Sequence, residues 1–193
     1  MAGHARFTAV LDACVLYPVS VADALISLAV AGLYAAKWTT AIEDEWVRSL
    51  ERSRPELQGR LGPRRDDMRA AVPDWEVPAE AWQSIVGGLR LPDAGDTHVL
   101  AAAVAGHADC IVTANLRHFP ARILGPYGLE AIHPDDFLVA QLDLDEFSAL
   151  AAFRDMRARK KNPPLDPEAF AQALERNGLA STANRLRLAA ALI

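Results

Sequence analysis

A small set of oxygen-bearing side chains is spaced along the chain in a way that suggests one chemical site. They are Asp12, Glu45, Asp93, Asp96 and Asn115. Carboxylates that converge on one crevice repel one another strongly unless a cation lies between them. Oxygen ligands without His or Cys favour Mg²⁺ or Mn²⁺ over zinc. A hard divalent ion activates water and stabilises charge on a phosphoryl group, so the chemistry indicated is metal-dependent phosphodiester hydrolysis.

The apolar pattern predicts the strands that carry two of these side chains. The stretch FTAVLDACVL, Phe7 to Leu16, is apolar except for Asp12 and is typical of a buried parallel strand. DCIVTAN predicts a second buried strand that ends at Asn115, and GLEAIHP predicts a last strand. Ligands bind beyond the carboxyl ends of the strands in an open parallel sheet, so we expect Asp12 and Asn115 at one crevice.

Two predicted helices bring the other carboxylates towards the same region. A pair of threonines is suited to cap a helix over 41–50, whose apolar side allows Glu45 to point inward. Asp96 starts a second helix, which runs to about Ala105 and leads into the DCIVTAN strand. Asp93 lies one turn before that helix.

Each of these residues also has an ordinary structural interpretation. Asp12 is equally well explained by its position alone as a turn residue at a strand end. Asp96 is explained as a helix cap, Asn115 as a turn former and Asp93 as a loop residue. Glu45 is explained as a solvated helix residue, like its acidic neighbours. The order and placement of the whole set, rather than any one member, favour a site.

The element pattern predicts the fold class and a boundary. Strands that alternate with helices over 1–134 predict a three-layer α/β/α domain with a central parallel sheet. Over 135–193 no strand pattern is found, and helix-like segments are separated by KKNPPLDP and RNGL. We therefore expect a nuclease-type domain over 1–134 and a helical C-terminal extension over 135–193.

The composition is that of an ordinary globular protein without a general attraction for nucleic acid. The chain has 193 residues, 51% of them hydrophobic, and a formal charge of −5. Any contact with nucleic acid must come from local patches. One candidate is Arg154, Arg157 and Lys161, which share a helical face, and another is the arginine-rich arm over 52–65. A solvated charged face explains either patch equally well.

The cysteines and apolar runs predict a cytoplasmic location. Cys14 and Cys110 are too few for a disulfide framework or a zinc site and indicate free thiols in a reducing compartment. The apolar run over 21–36 is shorter than a membrane span and contains Asp23. Neither secretion nor membrane insertion is expected.

These stretches resemble the PIN-domain family. AVLDACVLYP resembles the opening strand of that family with its first aspartate. WTTAIEDEWVRSL resembles the helix with the family's glutamate, which assigns that role to Glu45 rather than Glu43. LPDAGDTHVLAAAVAGHADCIVTANLRHFP resembles the acidic loop, the Ala-rich helix and the strand that follow. The helical tail resembles the C-terminal extension of a longer VapC-like subgroup.

Within the family, the chain is similar to the VapC-type ribonuclease toxins of bacterial toxin–antitoxin systems. The resemblance implies an endoribonuclease that cleaves single-stranded RNA with Mg²⁺ or Mn²⁺. It also implies inhibition by a cognate antitoxin and, usually, a homodimer.

Carried over by position, the resemblance implies a core acidic set with a further carboxylate close by: Asp12, Glu45, Asp96 and Asp93. The family's fourth position is often Asp, but here it is Asn115, which offers a carbonyl oxygen without a charge. His118 likewise stands where an acidic residue is common. We therefore expect one well-held ion rather than two.

The resemblance also suggests a division of roles. Asp12 and Asp96, through Asn115 or water, hold the ion. Glu45, together with Asp93, orients or deprotonates the attacking water. The hydroxyl of the nearby threonine, Thr113, bonds either the Asp12 carboxylate or the phosphate. Substrate RNA contacts the basic residues named above.

Competing classes lack their diagnostic residues. A haloacid-dehalogenase-like phosphatase needs a second Asp two residues after the first, and position 14 is Cys. Rossmann and P-loop proteins need a Gly-rich turn after the first strand, and DACVLYP has none. The non-enzymatic alternative is a PIN module that binds RNA or an antitoxin without cutting, which only Asn115 favours.

Overall fold

A four-stranded parallel sheet positions Asp12, the first residue of the predicted site. In a computed structural model of the chain, which describes residues 7–193, the strands are β1 (Thr8–Leu11), β2 (Ala35–Lys37), β3 (Cys110–Val112) and β4 (Glu130–Ile132). Their spatial order is β2-β1-β3-β4, and every neighbouring pair is parallel. The last residues of β1 and β3, Leu11 and Val112, are register partners. The residues that follow them therefore emerge side by side.

Eleven α-helices accompany the sheet in the described part of the chain. They are α1 (Ala13–Leu16), α2 (Val19–Val30), α3 (Thr40–Ser53), α4 (Gly62–Ala71), α5 (Ala79–Val86), α6 (Thr97–Ala105), α7 (Ala121–Leu124), α8 (Pro134–Leu144), α9 (Glu146–Ala158), α10 (Pro167–Glu175) and α11 (Ala180–Leu188). The predicted fold class, a parallel α/β sheet flanked by helices and followed by C-terminal helices, is confirmed. No helix within residues 7–193 has the length and apolar character needed to cross a membrane.

The chain divides into two compact units. The first contains residues 7–17 and Tyr34–Ile132, and so holds the sheet, α1 and α3–α7. The second contains Pro18–Leu33 and His133–Ile193, and so holds α2 and α8–α11. The boundary at 134 remains a proposal for the functional domains. By contacts, α2 belongs with the C-terminal helices although it precedes β2 in the chain.

One local prediction about the strands was wrong, and one strand was missed. The strand predicted over Phe7 to Leu16 ends at Leu11, and Ala13–Leu16 is helical because the amides of Val15 and Leu16 donate to the carbonyl oxygen of Asp12 at 3.1 and 3.3 Å. A short apolar run does not distinguish a strand from a buried helical turn. The sequence also did not reveal β2, which at three residues is too short for an alternating pattern.

The helices that carry site residues are held by caps and apolar contacts. The side chain of Thr39 caps α3 by accepting from the amide of Ile42 at 3.1 Å, as the threonine pair predicted. Trp46 and Leu50 follow at helical spacing and are buried with Ile42. Asp96 immediately precedes α6, an alanine-rich helix that contacts β1 and β3. The acidic end of α6 is thereby placed beside the ends of those strands.

In the second unit, one carboxylate links two helices. Asp135, at the start of α8, accepts from the amides of Ser181 and Thr182 at 2.8 Å each and from the Thr182 hydroxyl at 2.7 Å. It thereby caps α11 from another part of the chain, since Leu179 at the cap position offers no side-chain acceptor. Burial acts to raise the pKa of Asp135, but these hydrogen bonds outweigh it, and the pKa lies below its ordinary value.

Replacement of Asp135 by Asn tests this contribution. We expect D135N to lower the stability of the second unit by about 1–2 kcal/mol at neutral pH, because a cap to two amides is weakened. The lowered pKa means that the carboxylate stabilises the fold above the unfolded value of about 3.9 and loses this effect as the pH falls through the folded value. Urea denaturation should therefore show the gap to wild type closing below about pH 4.

D136N is the matched control, since Asp136 is the next residue and is exposed. A D136N effect as large as that of D135N, or a gap independent of pH, would contradict the assignment.

Candidate metal centre

Asp12 lies at the carboxyl end of the sheet, where its carboxylate is fixed by neighbours from β3 and α1. It follows the last residue of β1, and its amide donates to the carbonyl oxygen of Val112 at 3.1 Å. Its Oδ2 atom accepts from the Thr113 hydroxyl at 2.7 Å and from the Cys14 thiol at 3.1 Å. The residue is buried, with 2% of its surface exposed. The Asp12 carboxylate is therefore held by two neutral donors, the Thr113 hydroxyl and the Cys14 thiol.

Thr113 links Asp12 to the turn after β3. Its hydroxyl donates to Asp12 and accepts from the amide of Asn115 at 2.9 Å. The sequence predicted either the Asp12 carboxylate or the RNA phosphate as the partner of this hydroxyl, and in the structure the hydroxyl bonds the Asp12 carboxylate. Burial and the Asp12 charge raise the pKa of the Cys14 thiol to about 12, so this thiol stays protonated and serves as a donor. Asn115 itself is half-buried beside this network.

Asp93, Asp96 and His118 form the second half of the site. Nδ1 of His118 lies 2.6 Å from Oδ2 of Asp96 and 3.9 Å from Oδ2 of Asp93. One ligand atom from each of the three residues lies within 4.8 Å of the others, so together they could hold a metal ion. Asp93 is exposed and also accepts from the amide of Gly95 at 2.8 Å, which shapes the turn before α6.

Negative charge accumulates around Asp96. Burial raises the pKa of Asp96, and the charges of Asp12 and Asp93 add to this effect, while the hydrogen bond to His118 opposes it. The net direction is upward. Asp12 and Asp93 are thus close enough to destabilise the charge of Asp96, which is the situation that a cation relieves.

Glu45 reaches this region through His98, a residue that the sequence analysis missed. Oε2 of Glu45 lies 3.3 Å from Nε2 of His98, as an ion pair rather than an aligned hydrogen bond, and Nδ1 of His98 lies 2.8 Å from the carbonyl oxygen of Gly95. Burial alone would lower the pKa of His98. The contacts with Glu45 and Gly95 and the Asp12 charge outweigh burial and raise it. The only hint in the sequence was the position of His98 two residues after Asp96.

The neighbouring glutamate, Glu43, has a different environment. It is fully buried on α3 and accepts from Nε of Arg69 at 3.0 and 3.1 Å, from a second nitrogen of the same guanidinium, and from the indole of Trp38 at 2.9 Å. Its charge is therefore neutralised within the fold. Glu45, with 42% of its side chain exposed, keeps a carboxylate that can reach a ligand. The geometry favours Glu45 over Glu43 as the site residue.

The basic residues proposed for RNA do not form the single free face that their spacing suggested. Arg157 donates to the carbonyl oxygens of Leu165 and Ile193 at 2.7 and 3.1 Å, which ties it to the second unit. Arg154 is exposed beside Asp155, and Lys161 is exposed, so these two remain predictions.

The arginine-rich arm is also partly engaged within the protein. The guanidinium of Arg64 lies 4.6 Å from the ring centre of Trp46 and donates to the carbonyl oxygen of Leu16 at 2.5 Å. Arg65 lies 3.8 Å from Asp44. Three further arginines of the arm are exposed: Arg52, Arg54 and Arg60.

The parallel sheet with an acidic cluster at its carboxyl edge agrees with the comparison to known families. Residues 8–117 match the family model described as PIN domain, which covers more than half of the chain. The chain belongs to the PIN-domain family. Residues 134–188 match a second model, described as VapC50 C-terminal domain.

A curated protein of Mycobacterium tuberculosis (strain ATCC 25618 / H37Rv), named "Putative ribonuclease VapC50", is 49% identical to this chain over 79 residues. The match covers 41% of this chain and 47% of that protein, so it spans about half the length of the relative. No solved structure gives a significant match.

Alanine substitutions at the two glutamates of α3 should separate a structural from a site role. We expect E43A to lower the free energy of unfolding by about 2–4 kcal/mol, because it leaves the buried Trp38 indole and the Arg69 guanidinium without their acceptor. E45A should change stability by no more than about 0.5 kcal/mol, since Glu45 is partly exposed. Chemical denaturation measures both. Equal losses in the two variants would be inconsistent with the distinction.

Proposed function

We propose that this chain is a metal-dependent endoribonuclease, the toxin of a type II toxin–antitoxin system, which hydrolyses phosphodiester bonds in single-stranded or loop RNA. The observation that carries the proposal is the cluster of Asp93, Asp96 and His118 at the carboxyl edge of a PIN-domain sheet, with Asp12 close enough for its charge to raise the pKa of Asp96. The ribonuclease name of the Mycobacterium tuberculosis relative supports it, as does the match of the C-terminal helices.

The donor set fits a divalent cation. Asp12 and Asp96 are buried carboxylates whose mutual repulsion a cation relieves, and Asp93 and His118 offer ligand atoms next to Asp96. Asn115 adds a neutral amide oxygen nearby. Mg²⁺ or Mn²⁺ is the proposed cofactor, and when bound it supplies positive charge to the phosphoryl oxygens and lowers the pKa of water.

The residues of the chain supply the other requirements of hydrolysis. The Thr113 hydroxyl and the Cys14 thiol hold the Asp12 carboxylate in one orientation, so it needs no rearrangement to act as a ligand. Glu45 is the proposed base that accepts a proton from the attacking water, with Asp93 as its assistant. His98, fixed by the carbonyl oxygen of Gly95, holds Glu45 towards the acidic cluster.

Exposed basic residues in both units are candidate contacts for RNA. The exposed arginines of the arm, Arg52, Arg54 and Arg60, belong to the same unit as the acidic cluster. We propose that they, with Arg154 and Lys161 of the second unit, bind phosphates of the RNA. A homodimer, inhibition by a cognate antitoxin and a cytoplasmic location are proposed on the resemblance to VapC-type toxins.

Conversion of either buried aspartate to asparagine tests the nuclease. We expect D12N and D96N each to lower Mg²⁺- or Mn²⁺-dependent cleavage of single-stranded RNA by about 100-fold or more, because each removes charge that the site uses to hold the ion. Cleavage is measured with a fluorescent oligoribonucleotide, and circular dichroism verifies the fold. D67N is the control, since Asp67 is exposed on α4 in the same unit. Full activity of both variants, or of wild type in excess EDTA, would refute the proposed site.

A growth assay tests the toxin role separately. Expression of the chain in a bacterial host should arrest growth, co-expression of the neighbouring gene should relieve the arrest, and D96N should not arrest growth at matched protein levels. A wild-type chain that cleaves RNA in vitro but leaves growth unchanged would indicate a housekeeping nuclease. A chain that binds RNA or the neighbouring gene product without cleavage would instead support the non-cutting alternative.

A further inference from the structure

We infer that His118 is a ligand of the ion at this site and that its nitrogen shifts the ion preference from Mg²⁺ towards Mn²⁺ and later transition metals. The inference rests on the metal site of the proposed function. It goes further by assigning a ligand that carries no negative charge and by naming the class of ion that this ligand selects.

The position of His118 is fixed by the turn that follows β3. Residues Leu116–His118 form a 3₁₀ turn in which the amide of His118 donates to the carbonyl oxygen of Asn115 at 2.8 Å. Phe119, the next residue, is buried with 2% exposure and anchors the turn. The imidazole is half-buried rather than free in solvent. The turn therefore delivers one ring nitrogen to a defined place beside α6.

That nitrogen faces two carboxylates at once. Nδ1 is 2.6 Å from Asp96 and 3.9 Å from Asp93, while Nε2 on the opposite side lies 3.3 Å from Nε of Arg117. When Nδ1 binds an ion, the ring proton resides on Nε2. If His118 served only to make a hydrogen bond with Asp96, a second carboxylate beside the same nitrogen would not be needed. The convergence of two carboxylates on the same ring nitrogen is the arrangement expected of a shared ligand set.

The other histidine near the site provides an internal comparison. Both ring nitrogens of His98 face protein groups, with Nδ1 at the Gly95 carbonyl oxygen and Nε2 at Glu45. His98 therefore faces a single carboxylate and is not part of the group of converging ligand atoms among the described residues. His118 differs because its Nδ1 lies among the acidic ligand atoms.

The donor chemistry then sets the selectivity. Mg²⁺ prefers oxygen ligands in near-octahedral geometry, whereas imidazole suits transition metals, whose affinity for such sites rises from Mn²⁺ to Cu²⁺. A set of two or three carboxylates, one imidazole and one amide oxygen is therefore matched to Mn²⁺ better than to Mg²⁺. An aspartate at position 118 would restore an all-oxygen set.

The test uses the full chain with MnCl₂ and MgCl₂ as probes and does not depend on RNA cleavage. We expect pulsed electron paramagnetic resonance of the Mn²⁺-loaded wild type to show coupling to one histidine nitrogen, which changes on ¹⁵N-histidine labelling and is lost in H118D. Isothermal titration should show that H118D lowers the ratio of Mg²⁺ to Mn²⁺ dissociation constants by about tenfold or more. H118N serves as a second variant should H118D fold poorly.

H107D is the matched control. His107 is exposed and has a φ of 50°, which Asp tolerates, and the substitution changes the net charge equally. It should keep both the nitrogen coupling and the ion ratio. Absence of nitrogen coupling in wild type, an unchanged ratio in H118D, or no Mn²⁺ binding would overturn the inference.

Failure of the inference is distinguishable from failure of the proposed function. RNA cleavage without nitrogen coupling refutes only the ligand role of His118. Nitrogen coupling without RNA cleavage refutes only the nuclease.

Discussion

The structure depends on keeping several carboxylates charged and close together at the end of a buried sheet. Like charges at such distances repel, and burial adds to the cost of ionisation. The fold meets this cost in two different ways. Glu43 is neutralised by the guanidinium of Arg69, which makes it a structural group. Among the described residues, Asp12 accepts instead from a hydroxyl and a thiol, and Asp96 accepts from an imidazole. These donors fix the direction of each carboxylate while leaving its charge available.

Much of this arrangement could be predicted from the sequence because parallel sheets follow a simple rule. Buried strands are apolar throughout, so a carboxylate that interrupts or follows one marks the strand end, and strand ends of a parallel sheet meet at one edge. Asp12 and the residues after β3 obeyed this rule. Asp96 was placed by its position immediately before α6, which the structure retains, although its side chain makes no capping hydrogen bond to that helix. The fold class and the location of the acidic cluster followed from these few positions.

What could not be predicted depends on contacts between distant residues. Spacing alone placed Arg157 on a basic face, but its guanidinium satisfies carbonyl oxygens at 165 and 193, far from it in sequence. Glu43 and Glu45 are two residues apart on one helix, and only Arg69 and Trp38 separate their roles. The helix over Ala13–Leu16 was hidden in a run of apolar residues that suits a strand equally well. The contacts of His98 with Glu45 and of His118 with Asp96 could not be predicted, because the role of a histidine depends on what each ring nitrogen faces.

The charge of the site also bears on how many ions it can hold. Asp12, Asp93 and Asp96 contribute three negative charges, while Glu45 is balanced in part by His98, whose pKa is raised. One divalent cation leaves a single residual negative charge, which still permits an anionic phosphodiester to approach. A second divalent cation needs further carboxylates, and positions 115 and 118 offer an amide and an imidazole instead. Neutral donors at these two places would complete the coordination of one ion without attracting another, so we expect the proposed site to hold a single ion.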